Sequence, residues 1–265
     1  MHPMLNTAIK AARAAGRIIV RHLADLDRLA VESKGRNDFV TQVDRRAEEE
    51  ILRIVQRAYP DHAILAEESG VQAGSEYEWI IDPLDGTTNF LHGYPQFAVS
   101  IAAHQRGRPL IAVVFDPLRE ELFTSTRGDG AQLNDRRIRV SHVNQLDGAL
   151  LGTGFPYSSM EFLDAWIATF RELVSRTSGV RRAGSAALDL AHVACGRLDG
   201  FWEFGLSPWD IAAGCLLIEE AGGLVSDFVG EANFFAGGNV LCGNPRIHAE
   251  MLRLLPPLLP AALKK

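Results

Sequence analysis

Apolar residues at the start of the chain recur every three or four positions. Met4, Leu5, Ala8, Ile9, Ala12, Ala15, Ile18, Ile19 and Leu23 share one face at this spacing, which predicts an amphipathic helix. The polar stretch ESKGRNDFV interrupts the pattern. A second helix is predicted after Thr41, with Val43, Ala47, Ile51, Ile54, Val55 and Ala58 on its apolar face and Tyr59-Pro60 ending it. The period then shortens. AILAEESG is a short apolar run meeting two acids, a polar loop follows over 72–78, and Trp79-Ile80-Ile81 reads as a strand. From FAVSIAAHQ to RIRVS, apolar runs are separated by RGRP, DPLRE, RGDG and ND, turn chemistries that predict a meander of antiparallel strands.

The second half changes character. Short strands in ALLGTGF, GVRRAG, GFWEFG, GLVSDF and NVLCGN alternate with helices over 160–175, 185–195, 208–221 and 245–255. Such alternation predicts a sheet covered by helices. A soft boundary near Val143 divides an N-terminal α+β part, 1–143, from a C-terminal α/β part, 144–265. No Pro/Ser-rich linker separates them, so a tight interface between the halves is expected.

Composition narrows the function classes. A chain of 265 residues with 47% hydrophobic and 23% charged residues is ordinary for a globular protein with a sizeable core. A formal net charge of −6 argues against general binding of nucleic acid or anionic membrane. Three cysteines, none in a CxxC, favour small buried thiols over a disulfide framework or a zinc site, and fit a reducing compartment. MHPMLNTAIKAARAAG lacks the order of a signal peptide, and no apolar run is long enough to span a bilayer, so a cytoplasmic location is expected.

The candidate chemistry lies in acids at strand ends and helix starts. WIIDPLDGTTNF places Asp82 at the end of an apolar run, where an ionised carboxylate is costly without a cation or hydrogen bonds. Pro83 biases Asp82 toward an extended conformation, Asp85 follows, and Gly86 permits a tight turn. Thr87 and Thr88 open a predicted short helix whose free N–H groups suit an anion. Two carboxylates beside an anion site repel unless a hard divalent cation lies between them. Mg²⁺ is commonly held by carboxylates together with a substrate phosphate. Asp44 and Asp210 stand in TQVD and SPWD, whose spacing is also that of a capping box. Glu67 and Glu68 also read as surface turn residues. Glu203, between Trp202 and Phe204, is expected to face solvent on an alternating strand. Calcium-loop, phosphate-loop, HExxH and GxSxG patterns are absent.

WIIDPLDGTTNF, with AEESG upstream and SPWDIAAG…EEAGG downstream, resembles the inositol monophosphatase family of lithium-sensitive, Mg²⁺-dependent phosphatases, and most closely its bacterial extragenic suppressor type. NDFVTQVD, FTSTRGDGAQLN and RRAGSAALDLAHVACGRLDGFWEFGLSPWD extend the likeness over essentially the whole chain. The resemblance implies a layered αβαβα sandwich, usually a homodimer, and two to three Mg²⁺ ions per site. It implies a first metal on Glu67, Asp82 and the Leu84 carbonyl, a second on Asp82, Asp85 and Asp210, and a weaker third sharing Glu67. Asp44 and Thr87, assisted by Glu67, correspond to the groups that activate the attacking water. Gly86 and Thr87 correspond to the phosphate cradle. Gly184, Ser185, Ala186 and Glu203 correspond to the ring contacts, with Asp85 and Asp210 also facing substrate and Arg181 near it, a place its neighbour Arg182 could take instead. Lys34 aligns with a mobile-loop lysine. The implied activity is hydrolysis of inositol 1-phosphate or a related polyol or sugar phosphate by a metal-activated water, with inhibition by Li⁺. A regulatory role in transcription antitermination and ribosomal RNA maturation, through a protein partner of the transcription machinery, is the implied alternative.

Overall fold

The computed structural model describes residues 2–28, 31–35 and 38–264. The first amphipathic pattern becomes α1 (Pro3–His22), started by Pro3 and by the His2 ring, which accepts the Met4 N–H at 3.2 Å. A hairpin follows, β1 (Val31–Gly35) and β2 (Asp38–Thr41), in the stretch that carries no apolar period. The Lys34 side chain and Asn37 lie outside the described residues. Next come α2 (Gln42–Ala58), β3 (Ala63–Ala66), β4 (Gly70–Gln72), β5 (Tyr77–Asp85) and α3 (Thr87–Leu91). The meander is β6 (Ala98–Gln105), β7 (Arg108–Asp116), β8 (Glu121–Thr126), β9 (Gly130–Leu133) and β10 (Arg136–Arg137). Then follow β11 (Leu150–Thr153), α4 (Leu163–Val174), β12 (Gly179–Arg181), α5 (Ala186–Ala194) and β13 (Gly200–Glu203). The chain closes with α6 (Pro208–Glu220), β14 (Leu224–Ser226), α7 (Phe234–Gly237), β15 (Val240–Gly243) and α8 (Pro245–Leu254).

Among the described residues, one sheet of eight strands runs β10-β9-β8-β7-β6-β5-β3-β4, and one of five runs β12-β11-β13-β15-β14. Period-2 alternation sends the two faces of each sheet into different cores. Trp79, Ile81, Ile101, Val113 and Phe115 pack against Ala8, Ala12 and Ile19 of α1 and Val43, Ala47 and Ile51 of α2. Their strand neighbours Ile80, Ala102, Ala112 and Val114 face the other way, onto α5 and α6. The smaller sheet repeats the division. Phe201, Val240 and Cys242 join the α5–α6 layer, whereas Trp202, Leu241 and Leu151 pack against Trp166 and Leu173 of α4 and Ile247 and Met251 of α8. The layers are therefore helix, sheet, helix, sheet, helix. Helices α5 and α6 have little hydrophilic surface because a sheet covers each side. Cys215 and Cys242 are buried free thiols, and Cys195 is half-buried and also free.

Three elements differ from expectation. The strand predicted at 79–81 runs on to Asp85, because Pro83 falls in a bulge where its missing N–H leaves no ladder bond unmade. The helix predicted from Met160 begins as α4 at Leu163, after a 3₁₀ turn interrupted at Ser159 (φ −141°, ψ 55°). The polar stretch after α1 pairs with itself as β1 and β2.

The middle layer depends on a close helix approach. A Cβ built on Gly214 of α6 would lie 2.4 Å from the Cβ of Leu190 on α5, a backbone-fixed atom that cannot rotate away. Gly214→Ala gains about 1 kcal/mol of helix propensity but forces the helices apart. Overpacking of this kind typically costs roughly 1–3 kcal/mol, and here the obstructing atom is rigid. Gly214→Ala is expected to be net destabilised by about 1 kcal/mol or more, read as a lower urea midpoint. An unchanged or raised midpoint would contradict this packing.

Candidate metal and phosphate site

The site starts from a strand defect. β5 pairs with β6 so that Asp82 faces Ser100 and Asp85 faces Ala98, three steps on one strand against two on the other. In a regular strand, residues three apart point to opposite faces. The extra residue, at Pro83-Leu84, turns Asp85 back onto the face of Asp82. That face looks toward α6, whose N-terminus carries Asp210. Carboxylate oxygens of Asp82, Asp85 and Asp210 lie within 4.8 Å of one another. Asp82 is buried, and its Oδ1 accepts the Leu84 N–H at 2.9 Å. β3 runs parallel to β5, and the Glu67 N–H extends that ladder to the Ile81 carbonyl at 3.1 Å. Glu67 and Asp82 thus emerge together from the carboxyl ends of two parallel strands, the end where open sheets place ligands.

The capping readings hold alongside this placement. The Asp44 Oδ2 accepts the Thr41 N–H at 2.9 Å and the Thr41 hydroxyl at 2.5 Å, closing a capping box at the start of α2. Its other oxygen, Oδ1, accepts the Thr87 hydroxyl at 2.8 Å. The Leu84 carbonyl lies 3.0 Å from the same hydroxyl, so one proton has two acceptors. The Asp210 Oδ2 accepts the Ser207 N–H at 2.7 Å at the start of α6. An acid in a capping box is held by backbone at one oxygen and can present the other.

Gly86 sits at φ +96°, and a Cβ there would meet the Gln96 carbonyl at 2.9 Å and the Gly184 carbonyl at 3.2 Å. Only glycine fits both the conformation and the space. Asn89 ties the same segment to the 183–184 loop. Its Nδ2 donates to the carbonyls of Gln96 at 2.7 Å, Ala183 at 2.9 Å and Gly184 at 3.2 Å. At the start of α5, the Asp85 Oδ2 accepts the Ser185 hydroxyl at 2.6 Å and the Ala187 N–H at 2.7 Å, and the Ala186 N–H favours the same charge. Gly184, Ser185 and Ala186 are therefore brought beside Asp85.

Two residues stand differently from expectation. Glu203 does not face open solvent. A Cβ on Gly154 would collide with its carboxylate, and Glu203 feels Asp189, Asp210 and Asp85. The reason is that β13 is covered on both faces, with Phe201 and Trp202 both fully buried. Arg181 is exposed and donates back to the Val180 carbonyl at 3.3 Å. Its neighbour Arg182 is the arginine that acts on the acids, favouring the charged forms of Asp85, Asp189 and Glu203. The Arg182 guanidinium lies 4.7 Å from the Phe155 ring centre and 5.1 Å from that of Tyr157.

Sequence reasoning missed Asp189, Asn89 and Glu48. Asp189 and Glu48 are buried acids on helix faces that otherwise carry apolar residues, and that mismatch was the available signal. Asn89 left only its place in GTTNF.

Electrostatics decides what the cluster can hold. Burial pushes the Asp82 carboxyl well up, and the nearby charges of Glu67, Asp85 and Asp210 push it further. Burial also raises Asp85 to about 6, against the opposing hydrogen bonds from Ser185, Ala187 and Ala186. Burial and the neighbouring Asp189 and Asp210 raise Glu203, and burial followed by Asp85 raises Asp189. An all-oxygen, all-anionic donor set fits a hard divalent cation such as Mg²⁺, which reverses the repulsion.

The sequence profile described as the inositol monophosphatase family matches residues 1–257. A curated relative, the Nus factor SuhB of Pseudomonas aeruginosa, is 54% identical over 271 residues, covering 100% of both chains. The crystal structure of extragenic suppressor protein suhB from Bartonella henselae superimposes with a TM-score of 0.93 at 43% identity, covering 100% of this chain and 99% of that one. The inositol monophosphatase of Anabaena (Nostoc) gives a TM-score of 0.87 at 45% identity, covering 98% and 97%.

The raised Asp85 value sets a pH window. Its folded value of about 6 exceeds the ordinary 3.8. A raised folded value stabilises the metal-free protein below the ordinary value, and that stability is lost as pH rises through the folded one. Metal-free Tm is therefore expected to fall across this window relative to Asp85→Asn. Added Mg²⁺ should raise Tm more at about pH 7.5 than at about pH 4.5. Calorimetry with EDTA or Mg²⁺ checks this; equal Mg²⁺ increments at both pH values would count against it.

Proposed function

The chain belongs to the inositol monophosphatase family, and from that premise we propose that it is a Mg²⁺-dependent phosphomonoesterase acting on inositol 1-phosphate or a related polyol or sugar phosphate. The observation that carries this reading is the convergence of Asp82, Asp85 and Asp210 across the β5 bulge, beside a Thr87–Asp44 hydrogen bond of 2.8 Å.

In this reading Glu67, Asp82 and the Leu84 carbonyl would hold one cation. Asp82, Asp85 and Asp210 would hold a second, and Glu67 would share a weaker third. When bound, the cations supply Lewis acidity, polarising the phosphoryl group and making water a better nucleophile. Thr87 donates its hydroxyl proton to Asp44, which leaves the Thr87 oxygen lone pairs to accept a proton from the attacking water. Asp44 is the terminal acceptor in this relay, fixed by Thr41, and Glu67 assists from the adjacent strand end. The N–H groups of Gly86 and Thr87 receive phosphate oxygens. Gly184, Ser185, Ala186 and Glu203 frame the alcohol, with Asp85 and Asp210 turned toward it. Arg182 takes the place expected of Arg181. The framing groups are mostly backbone and small side chains, so they select for a hydroxyl-rich ring more than for one isomer.

A second reading is favoured by the name of the Pseudomonas aeruginosa relative, a Nus factor. In it the chain, as a homodimer in the cytoplasm, also contacts a protein of the transcription machinery. The net charge of −6 favours a protein partner over direct nucleic-acid contact.

Asp85→Asn is expected to remain folded, because its amide oxygen still accepts from Ser185 or Ala187. It should lose phosphatase activity by more than about 100-fold, beyond the 10- to 100-fold typical of residues one shell further from a metal. A panel of phosphomonoesters assayed with saturating Mg²⁺ measures this, and near-normal turnover would sink the metal assignment. For the second reading, transcription-machinery proteins should be retained equally by wild type and Asp85→Asn in a purified pull-down. Absence of retention by either would remove it.

A further inference from the structure

We propose that Glu48 is a positioning residue for Glu67: it fixes the turn from which Glu67 projects, and so sets how tightly the cation nearest Glu67 is held. The inference rests on the reading of Glu67 as a metal ligand.

Glu48 lies on α2 one turn beyond Asp44, on the same buried face. Its Oε2 accepts the Glu68 N–H at 2.9 Å and its Oε1 accepts the Ser69 N–H at 2.7 Å. Residues 67–69 connect the antiparallel strands β3 and β4, whose last paired residues are Ala66 and Gly70. A connection this short needs its N–H groups satisfied, and a carboxylate is the strongest side-chain acceptor for two successive amides. Glu67 is then held on both sides. Its own N–H is bound to the Ile81 carbonyl, and the two amides that follow are bound to Glu48. Little backbone freedom remains where its carboxylate leaves the chain.

One rigid helix thereby serves both parts of the proposed chemistry. Asp44 reaches Thr87, and Glu48, one turn along, reaches the turn carrying Glu67. Their separation is set by helix geometry, which fixes the candidate proton acceptor relative to the candidate metal ligand. Glu48 touches backbone amides outside the acid cluster, so its effect passes through Glu67.

Glu48→Gln keeps the volume but turns one acceptor oxygen into an amide donor facing an N–H. The Mg²⁺ concentration giving half-maximal activity is expected to rise about tenfold. At saturating Mg²⁺, kcat should fall less than about threefold, with KM for substrate unchanged. Mn²⁺ binding to the substrate-free protein, read by titration calorimetry, should weaken by the same factor. A purely structural role would instead lower stability and leave Mn²⁺ affinity intact, and unchanged affinity overturns the proposal. Glu67→Gln is the control. If it binds Mn²⁺ as wild type does, the metal reading of Glu67 fails, and the Glu48 inference falls with it. Wild-type amide exchange provides a measurement independent of any variant's folding. Ser69 is an exposed residue, yet its N–H and that of Glu68 should be strongly protected without metal; exchange at the rate of free amides would overturn the anchor.

Discussion

The mutual repulsion of the Asp82, Asp85 and Asp210 carboxylates is the constraint around which the rest of the molecule is arranged. Oxygens within 4.8 Å at the edge of a buried layer do not come together by themselves. They are forced together by backbone held in hydrogen-bonded structure: a bulged strand for two of them and a helix N-terminus for the third. Burial raises the proton affinity of Asp82 and Asp85, and at Asp82 the neighbouring charges of Glu67, Asp85 and Asp210 raise it further. A divalent cation removes the repulsion, so the same arrangement that weakens the metal-free protein becomes a source of affinity.

The layering follows from this demand. The carboxylates come from two kinds of anchor, a bulged strand and a helix N-terminus, and both end at one edge of the middle layer. Helices α5 and α6 are apolar on nearly all sides because sheets cover them on both faces. Their close approach at Gly214 and Leu190 holds their N-termini in register. One N-terminus binds Asp85 through Ser185 and Ala187, and the other bears Asp210. On the far side of the large sheet, α2 contributes Asp44 and Glu48 from one buried stripe. The cleft is thus defined by two helix layers that reach it from opposite faces of a sheet.

Capping and chemistry share residues here. Asp44 and Asp210 each give one oxygen to a helix start, which fixes the carboxylate without using its second oxygen. That double use explains why a capping box and a catalytic acid could not be told apart by spacing. The acid at N3 is the same in either case, and what differs is whether another element arrives opposite it. For Asp44 that element is α3, through Thr87.

The sequence by itself determined most of the helices and strands, because these rest on local periods, whereas the layered class came from the family resemblance of its acidic motifs. Helix spacing marks α1 and α2, apolar runs between turn chemistries mark β5 to β9, and Pro-Leu-Asp-Gly marks a strand end that cannot stay regular. Only the tertiary structure decided which face each acid meets. The turn of Glu203 away from solvent depends on helices covering both sides of β13, and the choice of Arg182 over Arg181 depends on the Phe155 and Tyr157 rings. The work of Glu48 and Asn89 depends on backbone amides and carbonyls supplied by segments 20 and 94 residues away. A backbone partner has no side-chain signature, so no residue pattern could announce these contacts before the chain was folded.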